Sequence, residues 1–344
     1  MGNRAGSNPV IPTNMETLYT FLWIILITFI IIFVMIFLLL NLAFNRRFDA
    51  QPKLKYFTIK DFPEIDVEVV EFKNKQGVIL RGGFYYDDRL QPHAKLIVFS
   101  HGIGPGHQAY THLIMEFVKK GFIVFAYDNM GCGLSKGTSI RGVPQAIDDL
   151  QTALRYISKS TYATLPISVI GHSWGAYAAI RASEMGVPIQ RIISIAPFND
   201  VSEMLGKYIS WIRIFKPFVK IITYVKFGYL GTLSTQEILK KTKVKTLVIV
   251  GEKDDDIPLR GNYDQFIKAK NPLVKIELAK DHRHNPYLSF RAENYVIDTI
   301  LQGTMDVRKE KDISKVDKFF NSLDYQWVGE HDPIVIAQIE KFLI

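Results

Sequence analysis

The 344-residue chain carries one cysteine, Cys132, so no disulfide can close within it. A fold of this length must then rest on its hydrophobic core, and 48% hydrophobic residues can supply one without covalent staples or structural metals. The single thiol fits a reducing compartment. There is no internal repeat and no low-complexity tract, which excludes a disordered or collagen-like chain. A G-x-x-x-x-G-K-[ST] phosphate loop is also missing. Charge, by contrast, is abundant and uneven: 42 Lys+Arg against 34 Asp+Glu give +8 and a pI near 9.2. That excess suits nucleic acid or an anionic membrane surface, but no nucleic-acid-binding motif accompanies it. The N-terminus favours the membrane.

From Phe21 to Leu40 every residue except Thr28 is apolar. At about 1.5 Å per residue, a helix of that run reaches across the roughly 30 Å hydrocarbon core of a bilayer. Tyr19 and Trp23 lie where an interfacial aromatic anchor belongs, and Arg46 and Arg47 close the other end. A cleaved signal peptide fits less well. The run exceeds a signal h-region, the preceding residues carry only Arg4 and Glu16, and no small-x-small site follows Asn41 to Phe44. Met1-Gly2 opens like a myristoylation signal, but Gly6 stands where Ser or Thr belongs. The expected layout is an N-terminal tail at 1–20, one transmembrane helix at 21–44, a polar linker at 45–65 and a folded domain at 66–344. Arg46, Arg47, Lys53 and Lys55 all follow the helix, so the positive-inside rule puts the folded domain on the cytoplasmic side.

Within the folded part, apolar and β-branched runs alternate with helical patterns, the signature of an α/β domain with a mostly parallel sheet flanked by helices. Strands are expected at Val67 to Phe72, Val78 to Tyr86, Lys95 to Ser100, Phe122 to Asp128, Ile167 to Gly171, Arg191 to Ala196, Thr246 to Gly251 and Val274 to Leu278. Helices are expected at Tyr110 to Lys120, Pro144 to Ser158, Trp174 to Met185, Leu259 to Ala269 and Pro333 to Leu343. In the second of these, Pro144 takes the first position and Ile147, Leu150, Leu154 and Ile157 form a sheet-facing stripe. Two segments break the alternation. Residues 199–243 mix aromatics with cations, and Pro217 is expected to split them into two short amphipathic helices. Residues 305–332 are dense in charge and read as a surface insertion.

The chemistry concentrates at strand ends. The strand Ile167 to Gly171 runs into Gly171-His172-Ser173-Trp174-Gly175, a G-x-S-x-G followed by a helical run. A sharp strand-to-helix turn needs both glycines, because a side chain at either would collide with neighbouring strand and helix, and it lifts Ser173 Oγ off the sheet. An activated serine needs a base, and the base needs a carboxylate. Acids follow one later strand in Glu252-Lys253-Asp254-Asp255-Asp256, and histidines follow the next in His282-Arg283-His284. The order Ser, Asp, His is that of a hydrolase triad. A metal reading of His282 and His284 lacks a third ligand at a recognisable spacing. The main-chain N–H of Trp174 and that of Ile103, in the loop His101 to His107, are the expected oxyanion donors. Gly102-x-Gly104 followed by a strand ending in Asp128 imitates a dinucleotide-binding unit, but His107 stands in place of its third glycine.

These residues resemble the α/β-hydrolase superfamily, and within it the bacterial serine aminopeptidase-like and monoacylglycerol-lipase-like (lysophospholipase-type) hydrolases, from about residue 67 to 301. The likeness rests on Ser100-His101-Gly102-Ile103-Gly104, on Ala126 to Gly137, on the Gly171 to Gly175 turn and on Gly251-Glu252-Lys253-Asp254. It implies Ser173 as nucleophile, Asp254 as the acid, and Ile103 and Trp174 as oxyanion donors. It favours His284 over His282, because the family's histidine often precedes Asn. It also makes 199–243 the cap, whose apolar faces would line an acyl tunnel while its lysines meet anionic headgroups. Asn129 and Cys132 depart from the family's frequent Arg and His, which leaves the substrate open. The 305–332 segment has no counterpart. The expectation is a membrane-anchored serine hydrolase of carboxylic, lipid-like esters, with no metal, organic cofactor or nucleic-acid partner. A peptidase, thioesterase or acyltransferase would use the same triad, and a catalytically silent membrane-tethered binding protein would keep the fold alone. Natural substrate and oligomeric state leave no signature.

Overall fold

The computed structural model describes residues 13–344 apart from 50–52, 56, 91–94 and 208. Gly2, Gly6 and the rest of the tail before residue 13 lie outside the described residues, as do parts of the 45–65 segment. The chain divides into two units, Met1–Ala43 and Phe44–Ile344. One helix, Thr13–Phe44, carries the apolar run and is long and apolar enough to cross a bilayer. It starts ahead of the run, with Glu16 in its first turn where a negative charge meets the positive end of the helix dipole.

The second unit is built on an eight-stranded sheet. Its strands are β1 (Asp66–Lys73), β2 (Ile79–Tyr86), β3 (Leu96–Ser100), β4 (Ile123–Tyr127), β5 (Ile167–His172), β6 (Arg191–Ile195), β7 (Lys245–Gly251) and β8 (Val274–Ala279). They lie in the order β1-β2-β4-β3-β5-β6-β7-β8; β2 is antiparallel to both neighbours and every other pair is parallel. Every residue of β3, β4 and β5 is buried, which explains why they read as unbroken apolar runs: helices cover both faces. The helix Gln145–Ile157 turns Ile147, Leu150, Leu154 and Ile157 inward, with Pro144 just before it as its N-cap.

Several helices differ from expectation for local reasons. The one expected from Tyr110 opens with a 3-10 turn, His107–Tyr110, before Thr111–Val118, and the one from Trp174 tightens after Ile180 into a 3-10 turn, Arg181–Glu184. The stretch from Leu259 becomes helical only at Tyr263–Phe266, continuing as Ile267–Ala269. Before it, Gly261 has φ 85° and the Asn262 side chain bridges Asn199 N–H and Pro258 O, which fixes a turn. Pro217 does not break a helix but sits in the first turn of Lys216–Phe227, after a 3-10 segment, Ser210–Phe215, since proline's missing N–H is harmless there. The charged 305–332 region is largely helical, with Ile313–Asn321 and a small core of its own in which Phe320 and Leu323 meet Ile300.

The stretch expected as linker contains a clamp. Phe48 N–H donates to Gly131 O (2.8 Å), and Phe48 O and Arg46 O accept from Gly133 and Ile140 N–H. The Arg47 guanidinium donates to Gly133 O (2.9 Å), Ser135 O (3.0 Å) and Gly137 O (2.6 Å) while pairing with Asp49. Arg47→Ala would return three loop carbonyls to water and cost about 1–3 kcal/mol. Limited proteolysis should then cut the 131–142 loop faster than in the wild type; equal rates would show that the loop holds itself.

Candidate active site

Both elbow glycines are demanded by close backbone approach. A Cβ on Gly171 would meet the Gly175 carbonyl and one on Gly175 would meet the Ser100 carbonyl at the end of β3. Between them Ser173 is held at φ 54°, ψ −112°, a conformation that a non-glycine residue keeps only where its surroundings dictate it. Its N–H is fixed by Ile195 O on β6 (2.8 Å). The side chain therefore stands at the carboxyl end of β5, in the middle of the sheet.

Two further loops converge there. Asp254, just after β7, has a buried carboxylate; Oδ1 accepts from the N–H groups of Asp256 and Ile257, both at 2.8 Å. Its Oδ2 lies 2.8 Å from His284 Nδ1, and His284 Nε2 lies 2.9 Å from Ser173 Oγ. If Nδ1–H donates to the carboxylate, Nε2 is left bare to accept the serine proton. Burial lowers the His284 pKa, but the Asp254 hydrogen bond and the charges of Asp254 and Asp256 outweigh it and raise the pKa above the ordinary imidazole value.

His282 goes elsewhere. Its Nδ1 faces Glu293 (3.2 Å) and its Nε2 faces Asp332 (3.3 Å), and the Glu293 hydrogen bond raises its pKa. The pairing of His282 with His284 on one metal does not arise, since both rings are already committed. Asp254, Asp256 and His284 do cluster within 4.8 Å, but a cation there would have to take His284 from Asp254 or from Ser173. Asp256 also forms an ion pair with Lys207.

Trp174 opens the helix after the elbow, so its N–H has no acceptor within that helix. Gly102 lies against Ser173, a Cβ there falling 3.3 Å from Ser173 Cβ, which brings the Ile103 loop to the site. His101 shapes this loop: it is buried, its Nδ1 lies 2.6 Å from Gly102 O and its Nε2 accepts from Asn129 N–H. Asp128, the residue that imitates a ribose ligand, is fully buried and accepts from His107 N–H, His107 Nδ1 and Leu134 N–H.

Sequence reasoning passed over three residues that brace the site. Tyr110 hydroxyl accepts from Gly102 N–H (3.1 Å) and meets His172 Nδ1 (2.9 Å), while His172 Nε2 donates to His284 O (2.8 Å). A polar chain thus runs from the Ile103 loop, through the elbow, to the histidine. Glu293, almost fully buried, accepts from the N–H groups of Arg283 and Asn285 on either side of His284. The only available signal was the unexplained His172 inside the elbow, since Tyr110 and Glu293 look like ordinary helix residues.

The comparisons agree with this architecture. An esterase from Pyrococcus furiosus superposes with a TM-score of 0.55 at 19% identity, over 80% of this chain and 98% of that one. The chain has the α/β-hydrolase fold. Acetyl xylan esterase 1 from Thermoanaerobacterium shares this hydrolase fold at a TM-score of 0.52 and 18% identity, over 75% and 89% of the two chains. Residues 91–228 match the family described as serine aminopeptidase, S33. Among curated proteins, the monoacylglycerol lipase of Mycolicibacterium smegmatis is 32% identical over 32% of this chain and 41% of its own length. The human monoglyceride lipase is 30% identical over 30% and 34%. The chain therefore spans less than half the length of these relatives.

Burial pushes the His172 pKa down to about 3, and the neighbouring His284 adds to this. In the unfolded chain the same ring would take up a proton near pH 6.5, so its contribution to stability is whole above that pH and is lost on acidification, by up to about 1.4 kcal/mol per unit. Ring-nitrogen NMR should show His172 neutral and not titrating between about pH 8 and 5. A midpoint near 6.5 would contradict the bonded chain.

Proposed function

We propose that the protein is a membrane-anchored serine hydrolase that cleaves lipid-like carboxylic esters. The observation that carries this reading is the continuous Ser173–His284–Asp254 hydrogen-bonded line at the ends of β5, β7 and β8. In the proposed reaction Ser173 Oγ attacks the ester carbonyl as its proton passes to His284 Nε2. Asp254 holds the ring and stabilises the imidazolium. The N–H groups of Ile103 and Trp174 receive the oxyanion. The alcohol leaves with the proton from His284, and water, deprotonated by the same nitrogen, then releases the acid and frees Ser173.

Similarity to monoacylglycerol lipases favours a single acyl chain on a polar headgroup. The helix Thr13–Phe44 supports membrane attachment, and the cations after it favour a cytoplasmic catalytic domain, which protease accessibility in intact cells would test. The aminopeptidase description of the matched family supports a second reading. A free α-amine would need an unengaged acid beside the serine, whereas Asp256 already pairs with Lys207 and Asp254 with His284.

Across p-nitrophenyl esters of increasing acyl length, turnover should peak at medium or long chains and fall at least about 10⁴-fold in Ser173→Ala. Short-chain esters alone, or amino-acid anilides, as the only substrates would overturn the lipid-ester assignment. Activity that survives Ser173→Ala would overturn the triad.

His284 must be neutral to act, so kcat/KM should rise with pH through a midpoint above 6.5, the ordinary value from which it is raised. Asp254→Asn removes the hydrogen bond and charge that raise that pKa. It should move the midpoint down and cut kcat by about 10⁴. An unmoved acid limb would assign it to another group.

A further inference from the structure

Behind the Ser173–His284–Asp254 line sits a second histidine whose surroundings fix its charge. His282 is buried, with 9% of its side chain exposed, and its two ring nitrogens face two different carboxylates: Nδ1 lies 3.2 Å from Glu293 Oε2 and Nε2 lies 3.3 Å from Asp332 Oδ2. A neutral imidazole has one N–H and one bare nitrogen, so it can satisfy only one of them. Neither acid is placed to supply the missing proton. Glu293 Oε2 also accepts from Arg283 N–H and Oε1 from Asn285 N–H, while Asp332 Oδ1 accepts from the N–H groups of Ile334 and Val335. Donors on every side favour the ionised carboxylate, and at Asp332 the start of the last helix adds its dipole. Among the described residues no lysine or arginine side chain bonds either acid. A carboxylate as buried as that of Glu293, 1% exposed, needs a paired positive charge, and His282 is the group in place to carry it.

That charge stands where the loops of Asp254 and His284 meet. His282 O accepts from Lys253 N–H (2.7 Å), next to Asp254, and a Cβ on Gly251 would collide with Arg283 O, so residues 282 and 283 are pressed against the end of β7. Glu293 takes the N–H groups on both sides of His284. One ring therefore ties the helix Phe290–Asn294, which carries Glu293, and the cap of the helix Pro333–Leu343 to the back of the His284 loop. The other charged groups around it are engaged elsewhere: Asp281 pairs with Lys253 (2.6 Å), Arg283 with Asp298 (2.7 Å), and His331, beside Asp332, turns Nδ1 toward Glu116 (3.7 Å).

We propose that His282 is a positioning residue for His284: as a doubly protonated cation it locks Glu293 and Asp332 behind the His284 loop, and loss of one of its protons releases that loop. This rests on the serine hydrolase reading above. With one proton gone, a ring nitrogen turns its lone pair on a carboxylate, the two acids lose their shared counter-charge, and the grip on residues 283 to 285 slackens. The Glu293 hydrogen bond, helped by the charges of Glu293 and Asp332, outweighs burial and keeps the ring protonated above the ordinary imidazole midpoint. The brace is therefore whole below about pH 6.5, the midpoint of the unfolded chain, and is lost as pH rises through the raised folded midpoint. Turnover depends on pH in two opposite senses, since His284 must have lost its proton and His282 must have kept both.

The test uses the full chain in detergent, labelled with nitrogen-15 at histidine, and follows kcat for p-nitrophenyl octanoate against pH with Ser173→Ala as the blank. kcat should descend on the alkaline side as the His282 nitrogens lose their doubly protonated shift, at a midpoint above 6.5. Asp332→Asn keeps an oxygen to cap the last helix but removes one charge, so it should move both the descent and the His282 midpoint to lower pH and leave the ascending limb of His284 in place. His282→Gln, neutral at every pH, should abolish the descent and lower the plateau kcat by about 10- to 100-fold with KM little changed. A His282 midpoint at or below 6.5 overturns the proposal. So does a raised midpoint with a descent that Asp332→Asn does not move, which leaves Ser173-dependent turnover and the hydrolase reading standing. Absence of Ser173-dependent turnover at any pH removes that reading, and the role of His282 with it.

Discussion

The site depends on one steric constraint, the contact between the carbonyl of Ser100 and the α-carbon of Gly175. It brings the end of β3 against the start of the helix that follows β5, closer than any side chain would allow. From that contact follow the turn at Ser173, its left-handed backbone and the nearness of the Ile103 loop to the serine. Such a conformation persists because the two neighbouring strands over-determine it: Ile195 takes the Ser173 N–H, and β3 forbids the elbow any other path. The histidine and aspartate then need only be delivered by loops at the same edge.

Delivery is a matter of hydrogen bonds to main chain. Asp254 is set by two N–H groups of its own turn, and the His284 loop is gripped by Glu293 on both sides and by His172 beneath. Because the side chains of Asp254, Glu293 and His172 are buried, leaving one of their polar atoms unpaired costs more than the bond itself contributes. The polar chain from Gly102 through Tyr110 and His172 to His284 O couples the loop beside Ser173 to the loop carrying His284. A displacement of either strains the other.

The inner strands β3 to β7 were legible because burial on both faces forces nearly unbroken apolar runs, and G-x-S-x-G was legible because glycine alone tolerates the approach at its two ends. The short helices were less so. The turn before Tyr263 depends on an Asn262 side chain reaching Asn199, more than sixty residues away, and the start of a helix at Pro217 depends on where proline falls within a turn. The Asn after His284 favoured it over His282 by resemblance alone; the physical reason, the carboxylates of Glu293 and Asp332 that hold His282, lies elsewhere in the sequence. The grip on Arg46 to Phe48 was hidden for the same reason, since carbonyls carry no residue identity.

The bracing of His284 from behind has a consequence for synthesis. His282 is held by Glu293 and Asp332, Asp332 N–H bonds Tyr287 O, and the Asp332 side chain caps the helix Pro333–Leu343, which packs under the sheet. The ribosome makes the serine elbow first, then the His284 loop, and only after both the Glu293 and Asp332 that hold that loop from behind. The loop that carries His284 is therefore braced by residues made after it, and its place beside Ser173 is fixed only once Asp332 and the helix it caps have joined the fold.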